Sequence, residues 1–109
     1  MMVRNEKKGM TAGEIADKIC EIAPEALQET WDNSGFLAGS RKHPVTKVLT
    51  CLDLDFSVLK EAERLGCEMI VTHHPLLFSG IKKLTDEDPA GRLIRQLVQH
   101  DIAVYSCHT

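Results

Sequence analysis

From residue 46 onward, the sequence alternates between short apolar segments typical of β-strands and amphipathic segments typical of α-helices. Residues 47–54 (KVLTCLDL), 68–72 (EMIVT) and 102–106 (IAVYS) are rich in apolar and β-branched residues, as buried strands are. Connections of this length between successive strands favour crossovers through helices, and therefore strands that run parallel. The pattern predicts an α/β fold on a parallel βαβαβ sheet, in which the second and third strands lie beside the first.

The segments between these strands carry the start and stop signals of helices. Asp55 or Ser57 can cap a helix that ends at Gly66, and Asp88 precedes Pro89 as an N-cap precedes a proline at the first helical position. Apolar residues recur at helical spacing in both segments and predict one buried stripe per helix. These residues are Val58, Leu59, Ala62 and Leu65 in the first helix, and Leu93, Ile94, Leu97 and Val98 in the second.

The part of the chain before this alternation is less regular. Residues 1–9 (MMVRNEKKG) are predicted to form a flexible, solvated tail. Thr11 and Glu14 form a capping-box pattern at the start of an amphipathic N-terminal helix, and Pro24 lies just beyond that helix. Residues 29–40 contain the only tryptophan and many turn formers without clear periodicity, so they are predicted to form a loop.

A parallel sheet of only three strands leaves both of its edges bare, which intact domains rarely tolerate. Either partner chains complete the sheet, or the sequence is a piece of a longer protein. In particular, the sheet edge beyond Tyr105 is predicted to be covered by another chain.

Composition narrows the class of protein further. The 109 residues suit a single domain, and 43% hydrophobic with 27% charged residues is typical of a globular chain rather than a disordered one. No apolar run approaches the ~20 residues of a membrane span, so no membrane partner is expected. The formal charge of −3 makes binding of nucleic acid by charge improbable.

The four cysteines, Cys20, Cys51, Cys67 and Cys107, are widely spaced and include no C-x-x-C pair. Because no secretory signal opens the chain, they are interpreted as reduced thiols, and a structural zinc site built from them is not expected. The predicted location is the cytoplasm.

Ligands of open parallel sheets bind beyond the carboxyl ends of the strands. Asp53 and Asp55 follow the first strand, His73 and His74 follow the second, and His108 follows the third. Adjacent residues that leave a strand point in different directions, so the histidine pair suits two neighbouring metal ions better than one. Imidazoles mixed with Asp carboxylates fit zinc, manganese or iron, and the sequence does not choose among these metals.

Each of these residues also has an ordinary structural explanation. His73 and His74 can form a hydrogen-bonded pair at the entrance of a loop, and His108 can be a surface histidine. Asp55 is a good N-cap for the following helix. Asp53 has no such role, and its position at the exit of the first strand directs it towards the same edge.

Several short motifs together resemble the dinuclear-metal family called Nif-three-like, whose members are often named GTP cyclohydrolase I type 2 homologues. The resemblance covers residues 10–109, and its specificity comes from T-H-H-P-L after a strand combined with W-D-N-x-G upstream. The matching motifs are WDNSG at 31–35, LD at 52–53, EA at 61–62, THHPL at 72–76 and HT at 108–109.

The resemblance implies a Nif-three-like α/β fold with two divalent metal ions per complete site, a possible nucleotide substrate and homohexamers built as trimers of dimers. It assigns His73 and His74 as metal ligands. In the hydrolase hypothesis, His108 is the predicted catalytic residue, either as a nearby group that supports the ligands or as a proton carrier. In the family, a bridging Asp three residues beyond the Thr and a distant His and Glu complete the site. Residues 10–109 are therefore predicted to be the N-terminal segment of a Nif-three-like metal-binding domain.

Two functions from different classes follow. The first is a dinuclear-metal-dependent hydrolase that resembles GTP cyclohydrolase I type 2, here truncated and incomplete. The second is a scaffold or regulatory interaction protein whose metal ions stabilise the ring of subunits without turnover. A non-functional fragment is a third interpretation, which follows from the absent part of the site.

Overall fold

The structure, a computed structural model, describes residues 2–4, 10–22, 35–74 and 84–107, and these form one five-stranded sheet with three helices. The strands follow the order β1-β3-β4-β5-β2, in which β3, β4 and β5 run parallel and the two outer strands run antiparallel to their neighbours. The strands are β1 (Met2–Arg4), β2 (Gly35–Ala38), β3 (Lys47–Cys51), β4 (Met69–Thr72) and β5 (Ala103–Ser106), and the helices are α1 (Ala12–Ile22), α2 (Phe56–Leu65) and α3 (Pro89–Gln99).

The predicted α/β fold with a parallel βαβαβ unit is confirmed, and the structure adds the order of its strands. Strand β4 lies in the centre and pairs with both β3 and β5. The third strand of the unit therefore lies beside the second, and the expectation that it lies beside the first is wrong. Strand β3 ends at Cys51, three residues before the predicted end, and the next side chain, Leu52, is 66% exposed.

The prediction that another chain covers the bare edges of the sheet is wrong, because two strands of the chain itself cover them. Strand β1 pairs with β3 at one edge, so the predicted tail contains a strand at Met2–Arg4. Strand β2 pairs with β5 at the other edge, with Phe36 opposite Tyr105. Both outer strands are only three or four residues long, and pairing with a distant strand stabilises them more than their own sequence pattern does.

The sheet separates two apolar clusters. On one face, α2 and α3 pack against β3, β4 and β5. On the other face, α1 packs against the same strands. Alternate residues of each strand belong to opposite clusters, as the twofold period of a strand requires. The first cluster contains Leu49, Leu54, Leu59, Ala62, Cys67, Ile70, Leu93, Leu97, Ile102 and Val104, and the second contains Ala12, Ala16, Val45, Val48, Met69, Ala103 and Tyr105.

The predicted helix caps are confirmed. Asp55 accepts a hydrogen bond from the backbone N–H of Val58 (2.9 Å), and α2 ends at Gly66 with a φ of 72°, in the left-handed region that glycine adopts without strain. Thr11 and Glu14 form the reciprocal capping box at the start of α1, with distances of 3.1 and 3.2 Å.

The apolar stripe of α3 is narrower than predicted. Leu93 and Leu97 are buried, whereas Val98 is 65% exposed and lies outside the stripe. The reason is geometric: α3 packs on the sheet along one line, and the residue after Leu97 is turned about 100° away from that line.

Replacing Asp88 with alanine is expected to destabilise the protein by about 1 kcal/mol, since its carboxylate accepts the N–H of Gly91 (3.0 Å) at the start of α3. Asp86→Ala is the matched control, because Asp86 lies in the same exposed segment and contributes only a surface ion pair with Arg95 at 3.7 Å. Urea denaturation of both variants measures the difference. Equal stabilities of the two variants would contradict the assigned cap.

The helices in the described ranges have 10 or 11 residues, and none of them is long and apolar enough to cross a lipid bilayer.

Candidate metal centre

The register of the parallel strands aligns their carboxyl ends. Cys51 at the end of β3 lies opposite Thr72 at the end of β4, and Thr72 lies opposite Ser106 at the end of β5. The residues that follow each strand therefore emerge where the parallel strands end, as the sequence predicts. This border of the sheet, named the histidine edge after His73 and His74, is different from the two sides formed by the outer strands.

Backbone hydrogen bonds continue past the strands and fix the position of the two histidines. The N–H of His73 donates to the carbonyl of Cys51 (3.0 Å), and the N–H of His74 donates to the carbonyl of Leu52 (2.9 Å). The buried hydroxyl of Thr72 donates to the carbonyl of His74 (2.8 Å) and closes the turn from the other side. The histidine pair is thus held at the backbone by the first two strands of the parallel unit.

The two imidazole rings lie side by side, and one of them contacts a carboxylate. The ring centroids of His73 and His74 are 4.9 Å apart, with their planes tilted by 56°. Nδ1 of His74 lies 2.8 Å from Oδ1 of Asp53, in the segment that follows β3. The side chains of His74 and Asp53 are 47% and 70% exposed, so this hydrogen bond is at the surface of the molecule.

The chemistry of these donors fits a divalent transition metal, but the described residues supply only part of a site. Imidazole nitrogens are common ligands of zinc, manganese and iron. Within the ranges that the structure describes, no three His, Cys, Asp or Glu side chains are grouped so that they could hold one ion. Catalytic metal ions usually have three protein ligands, so an ion at this position would need ligands besides His73 and His74.

The remaining predicted site residues are placed as follows. His108 lies outside the described residues, and its catalytic role stays a prediction. Asp55 is the N-cap of α2, so its ordinary structural explanation is confirmed. Asp53, which the sequence analysis left open, is at the histidine edge.

Sequence comparison identifies the family to which this architecture belongs. The family model described as Duf34/NIF3 (NGG1p interacting factor 3) matches residues 10–109. The chain belongs to this family.

Relatives and solved structures agree with this assignment. A Clostridium perfringens protein named GTP cyclohydrolase 1 type 2 homolog is 43% identical over 100 residues, which cover 92% of this chain and 38% of that protein. The crystal structure of a Staphylococcus aureus hypothetical protein superposes with a TM-score of 0.85 at 37% identity, over 91% of this chain and 33% of that one. A Bacillus cereus protein related to NIF3 gives a TM-score of 0.86 at 32% identity, over 94% and 28% of the two chains.

This NIF3-family chain therefore spans between about a quarter and two fifths of the length of these relatives. The matched part contains the histidine edge and the whole βαβαβ unit.

Sequence reasoning missed the role of Thr72 in the turn that holds His73 and His74. The motif THHPL contains Thr72, but the sequence predicted no task for this residue beyond the end of a strand. Its signal was nevertheless present, because a threonine directly before two polar residues and a proline can bond a backbone group two residues away and so close a turn.

Cys51 is the titratable group at this edge whose chemistry the fold changes most clearly. Burial against the α2 and α3 face, with a smaller contribution from the nearby carboxylates of Asp53 and Asp55, raises the pKa of its thiol to about 11. The folded state therefore favours the protonated thiol. The stability that this preference contributes is fully present at neutral pH, and it is lost as the pH rises through about 11.

At pH 8, Cys51 of the folded chain is expected to react with iodoacetamide about a hundredfold more slowly than an ordinary thiol, because so little of it is thiolate. Alkylation rates of the Cys51 peptide are measured by mass spectrometry in native buffer and in concentrated urea. The urea sample is the control, since unfolding removes the burial. Equal rates in the two solutions would contradict the raised pKa.

Proposed function

We propose that this chain provides the histidine ligands of a dinuclear-metal-dependent hydrolase of the GTP cyclohydrolase I type 2 kind. The observation that carries the proposal is the position of His73 and His74. They lie side by side at the carboxyl edge of a parallel sheet and are held there by backbone hydrogen bonds to the neighbouring strand. This edge is where ligands of open α/β sheets bind. The names of the relatives support the reaction class.

In this proposal each residue has a distinct task. A bound divalent ion would polarise a substrate oxygen and would make water a stronger nucleophile at neutral pH. His73 and His74 would hold two neighbouring ions, since their rings lie side by side with centroids 4.9 Å apart. Thr72 fixes the turn that presents them. His108, which comes two residues after the end of β5 in the sequence, would carry a proton between water and product.

The proposal extends to the surroundings of the site. The substrate is a nucleotide, and the remaining ligands come from outside the described residues. The metal is zinc, manganese or iron, which the two imidazoles do not distinguish. The complete protein assembles as a homohexamer, as the resemblance to the family implies. The four free cysteines fit a reducing compartment, and we place the protein in the cytoplasm.

A second function uses the same two histidines without catalysis. As a metal-stabilised scaffold, the protein would bind the ions to hold its subunits together and would present the ring to a partner. The description of the matching family as an interacting factor favours this alternative.

One assay distinguishes the two functions. It uses a protein that contains this chain and also the part that the C. perfringens relative has in addition. This protein is incubated with GTP and with zinc, manganese or iron in turn, and the release of formate and phosphate is measured. Turnover that requires a metal and is lost in His74→Ala supports the hydrolase. Absence of turnover with every metal, together with loss of assembly on chelation, supports the scaffold.

A further inference from the structure

We propose that Asp53 is a positioning residue, which fixes the orientation of the His74 ring and its tautomer for metal binding. The inference rests on the proposed function in that it assigns His74 a metal ion. The control of the His74 ring by Asp53 does not depend on that ion and applies to the protein without metal.

The geometry of the contact is specific. The Nδ1 atom of His74 lies 2.8 Å from Oδ1 of Asp53, well within hydrogen-bond distance. The same two segments are also joined at the backbone, where the N–H of His74 donates to the carbonyl of Leu52 at 2.9 Å. Side chain and backbone together therefore hold His74 at two points against the segment after β3.

Asp53 itself is placed by its neighbours on both sides. Leu54 is buried in the cluster between the sheet and α2, and Asp55 caps α2 through the N–H of Val58. The backbone on either side of Asp53 is thus fixed, while its own side chain is 70% exposed and turned to the histidine edge. Its one hydrogen bond among the described side chains goes to the His74 ring.

The chemical consequence concerns the second ring nitrogen. When Nδ1 of a neutral imidazole carries the proton and donates to a carboxylate, the lone pair of the ring lies on Nε2. This is the arrangement in which a histidine commonly binds a metal while its other nitrogen is held by a carboxylate.

Exposure separates this role from a purely structural one. Ion pairs and hydrogen bonds between groups as exposed as these two contribute little to stability. Loss of the Asp53 carboxylate should therefore leave the fold intact and change the state of the His74 ring. Asp53 also differs from a direct metal ligand, because a ligand would need its negative charge, whereas a positioning residue needs an acceptor oxygen.

The first measurement is made on the metal-free 109-residue chain at about pH 8, where an ordinary imidazole is neutral. The ¹⁵N chemical shifts of the ring nitrogens report which nitrogen carries the proton. We expect His74 to be mainly the Nδ1–H tautomer in the wild type, to lose this preference in Asp53→Ala, and to keep much of it in Asp53→Asn, whose amide oxygen still accepts. Asp55→Asn is the matched control, since it removes the same charge two residues away and retains a good N-cap.

The second measurement is titration of the same four proteins with zinc by calorimetry. We expect the dissociation constant to rise about 10- to 100-fold in Asp53→Ala, less in Asp53→Asn, and less than about twofold in Asp55→Asn. Circular dichroism confirms that each variant is folded.

Each outcome decides a separate point. An unchanged His74 tautomer or an unchanged zinc affinity in Asp53→Ala overturns the positioning role. Equal losses of affinity in Asp53→Ala and Asp53→Asn, with the tautomer retained in Asp53→Asn, overturn it in favour of direct coordination. If the wild-type chain binds no zinc, the ring nitrogens alone decide: a tautomer preference lost in Asp53→Ala supports the control of the ring by Asp53, and an unchanged preference overturns it.

Discussion

Replacing Leu97 with alanine is expected to destabilise the protein by about 3 kcal/mol, within the range of about 2–5 kcal/mol seen for buried leucines. The side chain of Leu97 is fully buried in the cluster between α3 and the sheet, where Leu59, Ile70 and Val104 are also completely inaccessible. The substitution removes Cγ and the two methyl groups attached to it, and it leaves a cavity that these neighbours fill only partly. In a domain whose total stability is about 5–15 kcal/mol, the loss is large.

Val98→Ala is the control for Leu97→Ala, because Val98 is the next residue of the same helix and is 65% exposed. Its expected effect is within about 0.5 kcal/mol. Urea denaturation followed by circular dichroism gives both values. A Leu97→Ala variant as stable as Val98→Ala would show that the helix packs on the sheet through a different face.

The second large effect is expected in metal binding. The 109-residue chain should hold at most one divalent ion, weakly enough to be lost on dialysis, and should not hydrolyse GTP. A catalytic ion normally has three protein ligands, whereas the described residues group fewer at this edge. Two divalent ions a few ångströms apart also repel strongly unless a bridging carboxylate offsets their charge. The weak site should disappear in either His73→Ala or His74→Ala.

Elemental analysis before and after dialysis, together with zinc titration, tests this prediction. His43→Ala is the control, since it also removes one imidazole but lies before β3, where its backbone is hydrogen-bonded to Ser40 and Ala12. Two tightly bound ions per chain, or binding that persists in both variants of the pair, would mean that the site lies elsewhere.

The central fold could be predicted because its signals are local. Caps such as Asp55 and Gly66 depend on residues within one turn of the helix, and the structure shows both where the sequence places them. The strands of the parallel unit are apolar enough to be recognised one at a time.

The outer strands could not be predicted, because their stability comes from distant partners. Residues Met2–Arg4 lie in a charged segment, and Gly35–Ala38 follow a run of turn formers. Each becomes a strand by pairing with a strand that lies far away in the sequence, namely β3 for the first and β5 for the second. The same limit applies to the order of the strands, which is a property of the assembled sheet.

The sequence was sufficient to predict at which border of the sheet the candidate site lies, but not the contacts within that site. Parallel strands bring their carboxyl ends together whatever their order, so Asp53, His73 and His74 had to emerge near one another. The hydrogen bond between Asp53 and His74 depends in addition on the register of β3 and β4 and on the rotamer of each side chain. Neither of these quantities is encoded in the spacing of the residues.

The histidine pair directly follows β4, the central strand of the sheet, which has two strands on each side. Native proteins open locally from their least supported parts, and the edges of a sheet open more readily than its centre. Fraying of β1 or β2 therefore leaves both ladders of β4 intact, including the backbone bonds that hold His73 and His74. Breaking those backbone bonds requires opening at the central strands, which costs more free energy than fraying of either outer strand.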